Sequence, residues 1–522
     1  MATIARPPCD EAAILSAPCS DVSATRGKWV LAATILGSSM AFIDGTVVNV
    51  SLPALQNTFH ASGMDVQWVV EAYALFLAAL LLVGGALGDL YGRRRIFVIG
   101  VAVFALASAW CGLAGSIHQL IAARAIQGLG GALLVPGSLA LISASFPEEQ
   151  RGRAIGTWSG FTAITAAAGP VLGGWLVQNA SWRWVFFLNL PLAVAVVLIS
   201  IWRVPESQND SAPKALDWPG AVLVTVALGG VTFALIESAT DGTAIRVAAV
   251  FGVAALVAFV FVESRSPNPM LPLGLFRSRN FSGANLLTLF LYAGLGGVLF
   301  FLPLNLIQVQ HYSATKTGAA LLPFIVLMFL LSRWSGGLVQ RYGSRAPLIV
   351  GPIIAGIGFS LLGEPGLGGS YWTTFFPGVV VLGFGMAVSV APLTTVVMNS
   401  AGQQRAGSAS GVNNAVSRVA SLLAIALFGM IFFRVFDHSL QKRLASVELS
   451  GNVRAEIYEQ RSKLAAIETA NPIGRAAVER SFVDAYRTIL WMAVVLALAS
   501  AASAALMIQR DSNPASRKSA NG

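Results

Sequence analysis

The sequence predicts an all-α membrane protein of fourteen transmembrane helices, arranged as two six-helix halves with two further helices inserted between them. Three observations carry this. The 522 residues are 55% hydrophobic and only 11% charged, with a mean hydropathy of +0.70, far from the roughly 25% charged content of soluble domains. The apolar residues fall into fourteen runs, each near the ~20 residues that carry a helix across a ~30 Å hydrocarbon core. Finally, the segment Gly85–Arg94 returns in weakened form at Gly336–Arg345, with Gly85 kept as Gly336, Leu87 as Leu338, Tyr91-Gly92 as Tyr342-Gly343 and Arg94 as Arg345.

In chain order the runs span 29–52, 67–89, 96–115, 118–143, 154–178, 184–203, 218–238, 244–262, 281–304, 317–340, 346–364, 372–397, 408–435 and 486–508. Residues 1–28 lack the basic start, short apolar core and cleavage site of a signal peptide and read as a tail. The first run therefore stays in the mature protein. Lys and Arg set the orientation: nineteen lie in the tails and loops on the side of the N-terminus, and only Arg183, Arg246 and Lys316 in the short loops opposite. Both tails, 1–28 and 509–522, are expected in the cytoplasm, with the chain a multi-pass protein of the plasma (inner) membrane. The net charge of +10 is a topology signal on this reading, and no nucleic-acid partner is expected. Cys9, Cys19 and Cys111 form no disulfide framework and no metal-ligand spacing.

The repeat equates the tenth run with the second. It pairs runs 1–6 (29–203) with runs 9–14 (281–508) and leaves runs 7 and 8, inside 204–280, as the insertion. Polar, proline-bearing segments flank that pair, Pro205 to Asp217 and Glu263 to Asn280; its interior is uncharged and reads as packing or spacing. The outer loop 437–485 carries seven acidic and seven basic residues. Its helix-forming stretches, Leu440 to Leu449 and Val453 to Ile467, break at Asn471-Pro472, and suggest either a hairpin over the outer mouth or a solvated loop.

The loop after the second run gives each residue type a physical job. Gly84, Gly85 and Gly88 allow close helix approach, Gly92 permits a tight reversal, Asp89 offers an acceptor at a helix start, and Arg93, Arg94 and Arg95 hold the loop to the cytoplasmic face. Catalytic constellations are lacking. There is no phosphate-binding loop and no His-Glu-x-x-His, and the four histidines are scattered at 60, 118, 311 and 438. Neither an enzyme nor an ATP-driven pump fits.

Ionisable residues inside the membrane cost about 2.5–3.5 kcal/mol each at a helix centre, so they mark function. Asp44 in the first run and Arg124 in the fourth lie at depths that let them meet, as a proton-coupling pair or as a static tie between two helices. Glu71 in the second run, near its outer end, is a second proton site, a counter-charge for a cation or a surface carboxylate. Arg333 and Arg418 have no mid-membrane acid in their own half; Arg418 either faces the cavity or bonds to backbone carbonyls. Gly169-Pro170-x-x-Gly173-Gly174 in the fifth run combines a lost backbone hydrogen bond with room for close contact.

Taken together, these segments resemble the major facilitator superfamily. Gly85, Leu87, Asp89, Gly92, Arg93 and Arg94 match its motif A; Arg124, Gln127, Gly128, Gly130 and Gly131 resemble motif B; Gly169, Pro170, Gly173 and Gly174 match the antiporter motif C. Asp44, Thr46, Asn49 and Pro53 resemble the first-helix signature of the fourteen-span drug/proton antiporters. The resemblance implies a major facilitator fold and an exporter of amphipathic small molecules, driven by the proton gradient without a cofactor and working as a monomer. In it Asp44 carries the proton, Arg124 tunes it and motif A gates the cytoplasmic side. An exporter or uptake permease for one dedicated metabolite is the alternative within transport, and a non-transporting sensor or channel the alternative outside it.

Overall fold

The computed structural model describes residues 24–208, 216–239, 242–400 and 406–509. The N-terminal tail up to residue 23 with Cys9 and Cys19, linker residues 209–215 and the C-terminal tail from 510 lie outside the described residues. Every regular element among the described residues is helical, and fourteen helices are long and apolar enough to cross a membrane. They are α1 Ala24–Phe59, α2 Gly63–Tyr91, α3 Arg93–Leu113, α4 Ile117–Ser145, α5 Glu148–Asn179, α6 in two pieces (Arg183–Phe187 and Asn189–Arg203), α7 Trp218–Ile236 and α8 Thr243–Arg265. After these come α9 Arg279–Leu304, α10 in two pieces (Ala314–Ala320 and Leu322–Tyr342), α11 Arg345–Gly363, α12 Phe375–Ser400, α13 Ala406–Ser446 and α14 Pro472–Met507.

Lipid offers no hydrophobic drive between helices, so close packing at small residues does that work. Gly84 of α2 lies against the Ala132 carbonyl of α4, Gly128 of α4 against the Tyr73 carbonyl of α2, and Gly130 of α4 against the Phe104 backbone of α3. A methyl group at any of the three would collide with backbone. In the second half, Gly385 of α12 meets the Ala355 backbone of α11 in the same way. The repeat also appears in the backbone. Gly92 (φ 108°) and Gly343 (φ 72°) close the α2–α3 and α10–α11 turns in conformations that only glycine adopts readily.

Several helices outrun the apolar segments that mark them. α1 continues seven residues past the expected end at 52, α2 starts at Gly63, α13 runs on to Ser446 and α14 begins at Pro472. Most of the loop expected at 437–485 is therefore helix, because a buried stripe continues beyond the membrane: Phe436, Leu440 and Leu444 of α13 pack with Val478, Phe482 and Ile489 of α14. Arg443 binds Asp484 at 2.7 Å beside it. Asn471-Pro472, expected as a break, is instead the start of α14. The Asn471 side chain caps Ile473 N and Gly474 N, and Pro472 occupies the first turn, where its missing N–H costs nothing. The stretch 453–467 is not one helix but Gly451–Glu459 followed by a 3₁₀ segment, Arg461–Ala466.

The two halves are joined most extensively at one end, and at the other α5 and α10 stand apart. At the end away from the Gly92 turn, Gly174 of α5 touches the Ala314 carbonyl of α10 and Gly318 of α10 touches the Pro170 carbonyl of α5. Thr315 donates to Gln178 at 2.7 Å, Gln67 to the Ile425 carbonyl at 3.0 Å, Gln308 to Gln56 at 2.8 Å and Gln56 to the Lys463 carbonyl at 2.9 Å. At the end carrying the Gly92 turn, Gly156 of α5 and Gly336 and Gly337 of α10 have nothing within 4 Å of where a side chain would begin. The inserted pair flanks the α2–α13 seam. Leu228 of α7 packs with Leu75 of α2 and Leu422 of α13, and Trp68 donates to Glu237 at 3.0 Å. Charge is not wholly absent from the insertion as expected: α8 extends to Arg265, which brings Glu263 inside the helix, 3% exposed and accepting from Leu271 N.

Candidate proton and gating sites

Asp44 and Arg124 meet. An Arg124 Nη1–Asp44 Oδ2 contact of 2.6 Å joins α1 to α4, with Asp44 fully buried and Arg124 1% exposed. Packing of α1 against α4 brings the two side chains together. Gln127, one turn after Arg124, completes the site. Its Nε2 donates to Asp44 Oδ1 at 2.8 Å, and its Oε1 accepts from Arg124 Nη1 at 2.8 Å. Arg124 Nε donates to the Val69 carbonyl at 3.1 Å, and the guanidinium lies 4.3 Å from the Tyr73 ring centroid. Both Asp44 oxygens thus accept N–H bonds. Cys111 closes the pocket, with its Sγ 3.6 Å from Gln127 Oε1. The sequence reading quoted Gln127 in its motif and assigned it no role; its i+3 spacing from Arg124 was the available signal.

Glu71 does not reach the outer surface. α2 begins four residues earlier than its apolar run, placing Glu71 about two turns inside the helix. It is fully buried, and neither carboxylate oxygen has a hydrogen-bond partner. It shares a face with Gln67 and Leu75, both of which contact α13, so Glu71 sits in the seam between the halves.

At the Gly92 turn, Asp89 does not cap the start of α3 as expected; it takes the Arg93 side chain, at 2.8 Å. The cap comes from Glu206, in the segment read only as linker. Its carboxylate accepts from Arg94 N at 2.9 Å and Arg95 N at 3.2 Å, the favoured place for an anion at a helix N-terminus. A side chain at Gly92 would begin 2.8 Å from that carboxylate. Of the antiporter motif, Gly169 abuts Thr46 and Gly173 abuts Val47 of α1, while Pro170 and Gly174 form the backbone contact with α10. Arg418 of α13 bonds to no backbone carbonyl among the described residues and is partly exposed. The Arg333 side chain lies outside the described residues.

Two helical halves closed at one end and open at the other, with an ion pair buried in one half and an unpaired carboxylate in the seam, define a membrane carrier of the alternating-access class. Residues 34–425 match the family profile of the Major Facilitator Superfamily, and the chain belongs to that superfamily. Among curated relatives it is 35% identical to the multidrug resistance protein Stp of Mycobacterium tuberculosis, over 89% of this chain and 88% of that one. It is 34% identical to the tetracenomycin C resistance and export protein of Streptomyces glaucescens, over 92% of each. A solved bacterial homologue of the human lysosomal transporter Spinster, inward-facing and unoccupied, shares the fold at TM-score 0.67 and 18% identity, covering 94% of this chain and 99% of that one. The chain is thus a multi-pass membrane transporter, not an enzyme, and it groups with the drug-resistance and efflux carriers of the superfamily.

Proposed function

We propose that the protein exports amphipathic small molecules across the plasma membrane in exchange for protons, as a monomer with both termini in the cytoplasm. The buried Asp44–Arg124–Gln127 site is the observation that carries this reading, because burying an ion pair costs several kcal/mol per charge and ionisable groups in the membrane interior mark proton pathways. Asp44 binds and releases the coupling proton. Arg124 and Gln127 hold its ionised form, and a shift of α1 against α4 that withdraws them loads it. Glu71 is the second proton site, uncovered when the α2–α13 seam opens. With the N-terminus inside, the open end faces the cytoplasm, so the described state is the one that has released its proton and awaits cargo. Gly85, Asp89, Gly92, Arg93 and Arg94 form the cytoplasmic hinge; Gly169, Pro170, Gly173 and Gly174 form the outer closure. The names of the relatives support export of drug-like molecules, and the lysine and arginine bias supports the orientation.

The test is dye efflux from proteoliposomes holding the purified full chain under an imposed pH gradient. Asp44→Asn is expected to lower the proton-driven rate to that of protein-free vesicles while dye binding persists. Proton-driven efflux at the parent rate in that variant removes Asp44 from the coupling path.

A further inference from the structure

Arg418 stands apart from the other described charges of the membrane interior. Arg124 and Asp44 neutralise each other, and Glu71 is sealed. Arg418 has no hydrogen-bond or ion-pair partner among the described residues, yet its side chain is partly exposed. Its position says what it is exposed to. Residues 411, 418 and 425 are seven apart and share one face of α13. Gly411 lies against Leu82 of α2, and the Ile425 carbonyl accepts from Gln67 of α2. Arg418, midway between them, faces the other half and not lipid. One turn before it, Asn414 is exposed as well, whereas Asn413 is tied to Asn285 and Thr288.

We infer that Arg418, with Asn414, is the binding point for an acidic group on the cargo, so that the transported class is amphipathic molecules bearing a carboxylate or comparable anion. This rests on the exporter reading above and names its substrate class. A guanidinium offers five N–H donors in a planar fork matched to a carboxylate. Left unpaired at mid-membrane it is costly, and a ligand that supplies the anion relieves that cost. The open state is the one in which an exporter loads from the cytoplasm, and it is in this state that the guanidinium has no acceptor among the described residues. Glu71 is the competing partner. It lies on α2 nearer the level of residues 422–425, about one to two turns of axial rise from Arg418, and is itself fully buried.

The experiment compares binding of 1-pyrenebutyrate and its uncharged methyl ester to the full chain in nanodiscs at neutral pH, by fluorescence titration. The parent is expected to bind the acid at least tenfold more tightly than the ester. Arg418→Gln is expected to erase that preference with the affinity for the ester unchanged, and Arg418→Lys to keep part of it. Equal affinities in the parent overturn the inference, whether or not the variants fold. So does a parallel loss of acid and ester binding in Arg418→Gln, which makes Arg418 a structural partner of Glu71. Binding is read without a proton gradient, so acid selectivity without proton-driven flux would sink the exchange reading alone.

Discussion

At the residue scale, burial gives Asp44 and Arg124 a thermodynamic signature that a surface pair lacks. Exposed ion pairs contribute about 0–1 kcal/mol, whereas removing one partner of a buried pair costs about 3–5 kcal/mol, because the other charge is left uncompensated. Arg124→Leu is therefore expected to lower the thermal unfolding midpoint in detergent sharply. The double variant Asp44→Leu with Arg124→Leu is expected to recover most of the loss while remaining inactive in transport. A double variant as unstable as the single one would show that Gln127, Tyr73 and the Val69 carbonyl depend on Arg124 for more than its charge.

At the element scale, the α5–α10 crossing shows how a motif becomes a gate. Glycine at 174 and 318 lets two backbones touch, so the helices meet at the outer end in direct backbone contact. Gly174→Leu inserts a branched side chain where the Ala314 carbonyl now sits and is expected to hold the outer end open. In a background without Cys9, Cys19 and Cys111, a cysteine at Thr315 should then react several-fold faster with a membrane-impermeant thiol reagent added outside. An unchanged rate would mean that the remaining contacts, Gln67 to Ile425 and Gln56 to Gln308, close the outer end by themselves. The Gly92 turn is the counterpart at the other end. There a positive φ and a carboxylate within 3 Å of the missing side chain both demand glycine.

At the scale of the whole molecule, function is a count of charges moved. Each elementary charge that crosses 100 mV is worth about 2.3 kcal/mol, roughly a 50-fold change in the accumulation ratio. If Asp44 and Glu71 each carry a proton, export of one neutral amphiphile moves two charges. Glu71→Gln is expected to reduce this to one, read as the slope of the steady-state ratio against imposed potential without a pH gradient. An identical slope in the variant would exclude Glu71 from the coupling path. An anionic cargo adds one charge to either count, so a cargo bound at Arg418 draws more strongly on the potential than a neutral one.

The sequence by itself determined the solvent, the fourteen crossings, the repeat and the identity of the Asp44–Arg124 pair. These follow from local composition and from the cost of charge in hydrocarbon, which a linear chain displays openly. The ends of α1, α13 and α14 were not legible, because an apolar run marks where lipid begins and ends while a helix continues as long as its buried stripe finds a partner. Glu206 was hidden for a related reason: a linker carboxylate becomes a helix cap only once the chain folds back onto the Gly92 turn. Only the tertiary structure decided that Glu71 is sealed in the seam, that Gln127 shares Asp44, and that Arg418 faces the other half without an acceptor among the described residues. Each of these depends on which face of a helix meets another half of the molecule. For helices that are apolar on every side, that choice is made by packing against distant segments, not by any pattern within the helix itself.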